Sequence, residues 1–156
     1  KLEVRNIYGN GQKIIGICFG HQILAQALGG KVARSECGVA TGVRSVEVLA
    51  TKPWMEPYHH YLSLLFYHQD MVVELPKNAE LIGTSEYCQV QMFCVNNQIL
   101  GIQAHPEMLK VHNHALMEEY QDHLKNQFQQ SLDSLLIRDN SLIIGHWMAN
   151  FFEYEG

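Results

Sequence analysis

No apolar run in this chain approaches the roughly 18 residues that a membrane-spanning helix needs, so no part of it is expected to cross a bilayer. No lysine or arginine cluster interrupts a formal charge of −5. Without a basic face there is no footprint for a phosphate backbone, and nucleic acid is excluded as an expected partner. The four cysteines, Cys18, Cys37, Cys88 and Cys94, form no C-x-x-C pair and follow no secretory leader pattern. A disulfide framework is therefore not expected, and a reducing, cytoplasmic compartment is. There is no P-loop or other glycine-rich phosphate cradle, so any ATP-dependent step belongs to another chain or domain. His59-His60 and His112-Asn113-His114 stand out among nine histidines, yet neither group has the ligand set usual for zinc, and no metal is expected. Internal repeats and low-complexity segments are missing too.

What is there suits a globular domain. The 156 residues, 47% hydrophobic and 17% charged, are enough for one domain over residues 1–156 with a real core. Lys13 to Ile17 reads as a short buried strand, and Gln22 to Leu28 has helical spacing that stops at Gly29-Gly30. Between them Cys18 sits on a strand-to-helix turn, framed by Gly16 and Gly20. Glycine at both places permits a sharp bend that a Cβ would crowd, and it thrusts the thiol outward. A helix N-terminus offers unpaired N–H groups and the positive end of the dipole, which favour thiolate over thiol.

The longer string Gly16-Ile17-Cys18-Phe19-Gly20-His21-Gln22 resembles the nucleophile elbow of the class I (triad) glutamine amidotransferases, in the subgroup similar to the amidotransferase part of GMP synthase. A second block, Gln103-Ala104-His105-Pro106-Glu107, is similar to that family's His-Pro-Glu motif. The resemblance implies a Cys-His-Glu triad of Cys18, His105 and Glu107. It implies an α/β fold of three layers, flavodoxin-like, with a mostly parallel central sheet and flanking helices. It also assigns substrate-binding roles to the Phe19 backbone as an oxyanion donor, to Gln22, and to His68-Gln69-Asp70, which matches a His-x-Asp stretch lining the family's pocket. The family carries a glycine, an acid and a second glycine where Cys37 to Gly42 stands, with Ala40 or Thr41 at the acid's place. Its opening strands and a glycine-rich loop are expected before Lys1, which makes this an N-terminally incomplete domain.

Elsewhere the patterns are plainer. Residues 1–12 read as a polar segment ending in the turn Asn10-Gly11, Lys31 to Arg34 and Val43 to Leu49 as strands, and Thr51 to Tyr61 as an irregular loop. Leu62 to Tyr67 reads as a buried segment and Met71 to Leu75 as a strand. A hairpin is expected from Cys88 to Gln103 about Asn96-Asn97, its second strand delivering His105, with Cys88 and Cys94 as small core residues. Leu116, Tyr120, Leu124, Phe128 and Leu132 recur every fourth residue and predict one long helix from His112 to Leu136. Ser141 is expected to cap a last helix that presents Ile144, Trp147, Met148 and Phe151 to the core.

Amide hydrolysis needs a nucleophile, a base that later protonates the leaving amine, and donors for the oxyanion. The expected activity is release of ammonia from glutamine through a glutamyl thioester on Cys18, with His105 as base and Glu107 orienting it. No cofactor is implied. Partners are glutamine or a γ-glutamyl compound, and a synthetase that receives ammonia. Chain order separates this from an α/β-hydrolase of the dienelactone-hydrolase type, where the acid precedes the histidine. Two alternatives stand beside it. One is a γ-glutamyl peptidase, because residues 68–76 are similar to plant proteins of that kind. The other is a non-catalytic binding or scaffold protein that retains the fold, to which the departure at Ala40 points.

Overall fold

A computed structural model describes residues 2–155. The first helix, α1 (Leu2–Gly9), lies in the stretch read as polar, and leads into β1 (Ile14–Ile17) and α2 (Phe19–Ala27). The polar reading missed a short amphipathic face: Val4 and Tyr8, one turn apart, pack beside α2, and Arg5 Nε donates to the Ala27 carbonyl at 2.7 Å. Then come β2 (Lys31–Arg34), β3 (Ala40–Val48), β4 (Tyr61–His68), β5 (Asp70–Glu74), β6 (Glu80–Thr84), β7 (Met92–Val95) and β8 (Ile99–Ile102). The chain closes with α3 (Lys110–Glu119), α4 (Gln121–Leu124), α5 (Phe128–Ser134) and α6 (Ser141–Glu153).

The main sheet has the order β1-β8-β7-β6-β3-β4, and β2 pairs with β5 in a separate two-stranded sheet. The expectation of a mostly parallel sheet is wrong. β1 with β8 is the sole parallel pair in these sheets among the described residues; β8-β7, β7-β6, β6-β3, β3-β4 and β2-β5 all run antiparallel. Connection length gives the reason. Asn96 and Asn97, both at φ 50, turn β7 straight back into β8. Such a tight two-residue turn permits only antiparallel neighbours, whereas a parallel pair needs a long crossover.

Period-two alternation along the central strands feeds a core on each face. Met92, Cys94, Leu100 and Ile102 join Ile144, Trp147 and Phe151 of α6 on one side. Phe93, Val95 and Ile99 meet Leu24 and Ala25 of α2 on the other. Helices therefore cover both faces, and β7 and β8, buried throughout, carry almost no polar side chain.

The single helix expected from His112 to Leu136 is broken. Tyr120 leaves helical geometry at φ −111, ψ 28, and Lys125 at φ 48, ψ −124 starts a short 3-10 turn before α5. Recurrence at every fourth position advances about 40° around a helix per step, so it spirals and makes no straight stripe. The residues of α3 that are buried are Asn113 and Met117. Asn113 Nδ2 donates to Phe66 O at 2.9 Å and its Oδ1 accepts from Gly42 N at 3.2 Å, which ties α3 to β4 and β3. Asn140, not Ser141, is the residue before α6, and Ser141 N donates to Asp139 Oδ1 at 3.1 Å.

The two glycines of the elbow differ in what they do. A Cβ on Gly16 would lie 2.6 Å from the Gly20 carbonyl carbon and 2.4 Å from Leu24 Cδ1, whereas one on Gly20 would meet nothing within 4 Å. Close packing of β1 on α2 is thus the requirement, and Gly16 meets it. Gly16→Ala is expected to lower unfolding free energy by about 1–3 kcal/mol, read from urea denaturation. Gly20→Ala tests the contrast: an equal loss from both changes would refute this account of the contact.

Candidate active site

β1 and β8 run side by side from Ile14↔Ile99 to Ile17↔Ile102, so both chains leave the sheet at the same edge. Cys18 follows β1 directly, and its N–H donates to Ile102 O at 2.8 Å. Its backbone, at φ 48 and ψ −101, lies where L side chains are rarely found. Such a conformation costs on the order of 1–3 kcal/mol and persists only where its surroundings hold it. Here the bond to Ile102 and the start of α2 do so.

His105 follows β8 by three residues, and its N–H donates to Leu65 O of β4 at 2.8 Å. Its Nδ1 lies 2.7 Å from Glu107 Oε1. The ring lines the same cavity as Cys18. Burial of the ring opposes its charge, but the neighbouring Cys18 and the Glu107 carboxylate outweigh that and lift His105 to about 9. The carboxylate is therefore in direct contact with the imidazole, and the ring's neighbours favour its charged form.

A cavity of about 620 Å³ opens beside them, lined by Cys18, His105, His68 and Gln69 and walled by Tyr67, Met108, Leu116 and Tyr120. His68 Nδ1 lies 3.1 Å from Asp70 O. A carbonyl only accepts, so in the neutral ring Nδ1 carries the hydrogen and Nε2 is left as an acceptor. That Nε2 is buried and has no hydrogen-bond partner among the described residues. Burial pushes His68 down to about 4, with the nearby charge of His105 acting the same way and Asp70 against it. A polar cleft of about 540 Å³ adjoins, sharing Val39, Gln69 and His123.

A family profile, glutamine amidotransferase class-I, matches residues 2–123. The chain belongs to the class I glutamine amidotransferase family. It is 38% identical over 105 residues to γ-glutamyl peptidase 3 of Arabidopsis thaliana, covering 64% of this chain and 42% of that protein. It is 32% identical over 111 residues to a glutamine-hydrolyzing GMP synthase polypeptide of Methanothermobacter thermautotrophicus, covering 70% and 59%. A crystal structure of a glutamine amidotransferase from Thermotoga maritima superposes with a TM-score of 0.79 at 24% identity, covering 98% of this chain and 68% of that one. The aligned part spans well under half the length of the plant relatives, 42% for the first of them.

Within this amidotransferase frame the residues expected from sequence separate into two groups. Cys18, His105, His68 and Gln69 line the cavity, and Glu107 backs His105. Gln69 Oε1 is taken by Arg34 Nη2 at 2.7 Å. Phe19 opens α2 with its side chain 70% exposed. Gln22 is buried behind the cavity, its Nε2 donating to Asp70 O at 2.8 Å and to Gln103 Oε1 at 3.3 Å, while the Asp70 side chain is exposed. Gln103, fully buried, reaches Cys18: its Nε2 lies 3.6 Å from Sγ. Sequence reading assigned Gln103 no role, although its place two residues before His105 was a signal. Cys88 and Cys94 are buried, and burial raises both thiols, Cys88 to about 11. No group of three or more potential metal ligands gathers among the described residues, and no helix there is long and apolar enough to cross a membrane.

Three histidines give stability a definite pH dependence. Burial drives His21 down to about 3, partly offset by backbone groups of Gly101 and Val90, and His68 sits at about 4. Unfolded, both take up a proton near 6.5, so the unfolded state binds more protons below that value and stability falls as pH drops from 6.5 toward 4. His105 acts oppositely: its contribution is complete below 6.5 and is lost as pH rises to about 9. Denaturation midpoints from pH 5 to 9 are expected to peak near 6.5, and His68→Gln to flatten the acid limb. An acid limb unchanged in His68→Gln would contradict the neutral buried state of that ring.

Proposed function

We propose that this chain carries the hydrolytic centre of a glutamine amidotransferase-type enzyme that cleaves γ-glutamyl amides through Cys18, His105 and Glu107. The observation that carries the reading is the Glu107 carboxylate bonded to the His105 ring, which lines one cavity together with Cys18. Cys18 attacks as the thiolate on the γ-carbonyl carbon, and the carbonyl electron pair moves to oxygen. The Phe19 N–H, in the first turn of α2, has no helical acceptor and is the donor assigned to that charge. Collapse of the tetrahedral intermediate expels the amine, which takes its proton from the His105 imidazolium. The neutral ring then removes a proton from water, and hydroxide attacks the thioester carbonyl. Glutamate leaves, and the Cys18–His105 ion pair is restored. Glu107 keeps the ring oriented throughout. His68, on the cavity wall, carries a buried Nε2 acceptor without a hydrogen-bond partner among the described residues, which suits the substrate's α-ammonium group once the ring turns toward it.

Glutamine as substrate releases ammonia, which a separate synthetase can take up, in keeping with the likeness to the GMP synthase polypeptide. A second reading, γ-glutamyl peptidase, is favoured by a specific observation. The wall of Tyr67, Met108, Leu116 and Tyr120 leaves apolar room beside the nucleophile, where ammonia needs none, and the plant relatives of that name are 36–42% identical. A non-catalytic protein with this fold would show no turnover on either substrate.

Cys18→Ser and His105→Ala in the intact protein are expected to cut glutamate release by about 10²–10⁴-fold, with Glu107→Gln intermediate and Cys88→Ser close to wild type. The assay is glutamate release from glutamine and from γ-glutamyl dipeptides, run in parallel; the ratio of kcat/KM values separates the two enzyme readings. Equal losses from Cys18→Ser and Cys88→Ser would remove Cys18 from the chemistry.

A further inference from the structure

Three side-chain amide and backbone groups behind the cavity form a series of fixed polarity: Asp70 O, Gln22, Gln103 and then Cys18 Sγ, at 2.8, 3.3 and 3.6 Å. Its direction follows from chemistry. The Asp70 carbonyl can only accept, so the Gln22 group turned toward it must be the NH2. The same NH2 then supplies the hydrogen bond to Gln103, whose nearer atom must be its oxygen. That leaves the Gln103 NH2 aimed at the sulfur, and because an amide NH2 cannot accept, Cys18 Sγ is the acceptor. An acceptor sulfur is satisfied better as thiolate than as thiol, since charge strengthens the bond and the thiol hydrogen has no part in it.

We infer that Gln103 is a thiolate-holding residue, which donates to the Cys18 sulfur and is itself oriented by Gln22 and the Asp70 main chain. The part this bond plays in the reaction cycle rests on Cys18 being the nucleophile of the proposed reaction; the bond itself does not. His105 and Gln103 then divide the sulfur between them. The imidazole supplies charge and later the proton, and the amide supplies a donor that never gives its hydrogen away. When the glutamyl thioester forms, the sulfur loses its charge and this bond weakens; it regains strength as the thiolate leaves. Gln103 thereby favours the release half of the cycle as well as the attack. Its complete burial keeps water from taking the same place.

The test reads the sulfur and not turnover. Iodoacetamide alkylation of the intact protein is followed by peptide mapping at pH 5–9, with exposed Cys37 as the internal reference. Gln103→Met keeps length without a donor, and Gln103→Glu keeps shape and the bond from Gln22 but cannot donate when ionised. Loss of one donor to a charged acceptor is expected to slow Cys18 alkylation near neutral pH about tenfold, more for the glutamate, moving the rate profile to higher pH while Cys37 stays unchanged. In the wild type, the side-chain amide resonances of Gln103 are expected to shift in step with Cys18 ionisation, a readout that does not depend on either variant folding. A Cys18 profile that superimposes on wild type in a folded variant, or Gln103 resonances that do not follow Cys18, would overturn the inference. Altered alkylation without wild-type hydrolysis would instead overturn the functional reading and leave this one standing.

Discussion

The arrangement depends on one parallel strand pair. Four register positions join β1 to β8, and the N–H of Cys18 carries the ladder one step further, onto Ile102 O. Because the two strands point the same way, the residues that follow them emerge together, cysteine from one and histidine from the other, though 87 positions separate them in sequence. In an antiparallel pair one of the two would leave at the far edge. The remaining strands, all antiparallel, hold this pair in place: β7 supports β8 along its length, and a β4 carbonyl holds the backbone of His105.

Local features were legible in the sequence, and long-range ones were not. The elbow announced itself because strand, glycine, cysteine and helix lie within a dozen residues. The pairing of His105 with Glu107 came from the likeness to a family motif, and Asn96-Asn97 marked the hairpin. Sheet direction was carried over from a resemblance and failed, since direction is set by how distant segments return. β6 went unnoticed because Leu81 and Ile82 are adjacent, without alternation, and a register shift between Leu81 and Gly83 hides any period. The helix after Lys110 was drawn too long because spacing of four was taken for a face. Gln22, Asp70 and Gln103 come from three distant segments, and nothing in a linear reading joins them.

Electrostatically the site separates like groups by environment. His21, His68 and His105 are all shielded from water, yet only His105 is a cation at neutral pH, because it alone has both a carboxylate and the thiol within reach. Had His68 also been charged, its repulsion would have lowered the basicity on which His105 depends. Keeping that ring neutral concentrates the positive charge of the cavity at one atom group, next to the sulfur. The cysteines divide by position too: burial raises Cys88 and Cys94, Cys37 is exposed, and Cys18 lines the cavity with His105.

The innermost anchor of the glutamine pair is a main-chain oxygen, that of residue 70, and this bears on how such a site tolerates divergence. Every amino acid supplies that oxygen, so the identity of residue 70 is immaterial to it, and the exposed side chain there is free to drift. What must be inherited is the path of β5 against β2, which places the carbonyl. Two descendants could differ at residue 70 and share the anchor, or agree there and lose it after a one-residue shift of the strand. Kinship in this part of the molecule is recorded in backbone position, where a comparison of letters does not look.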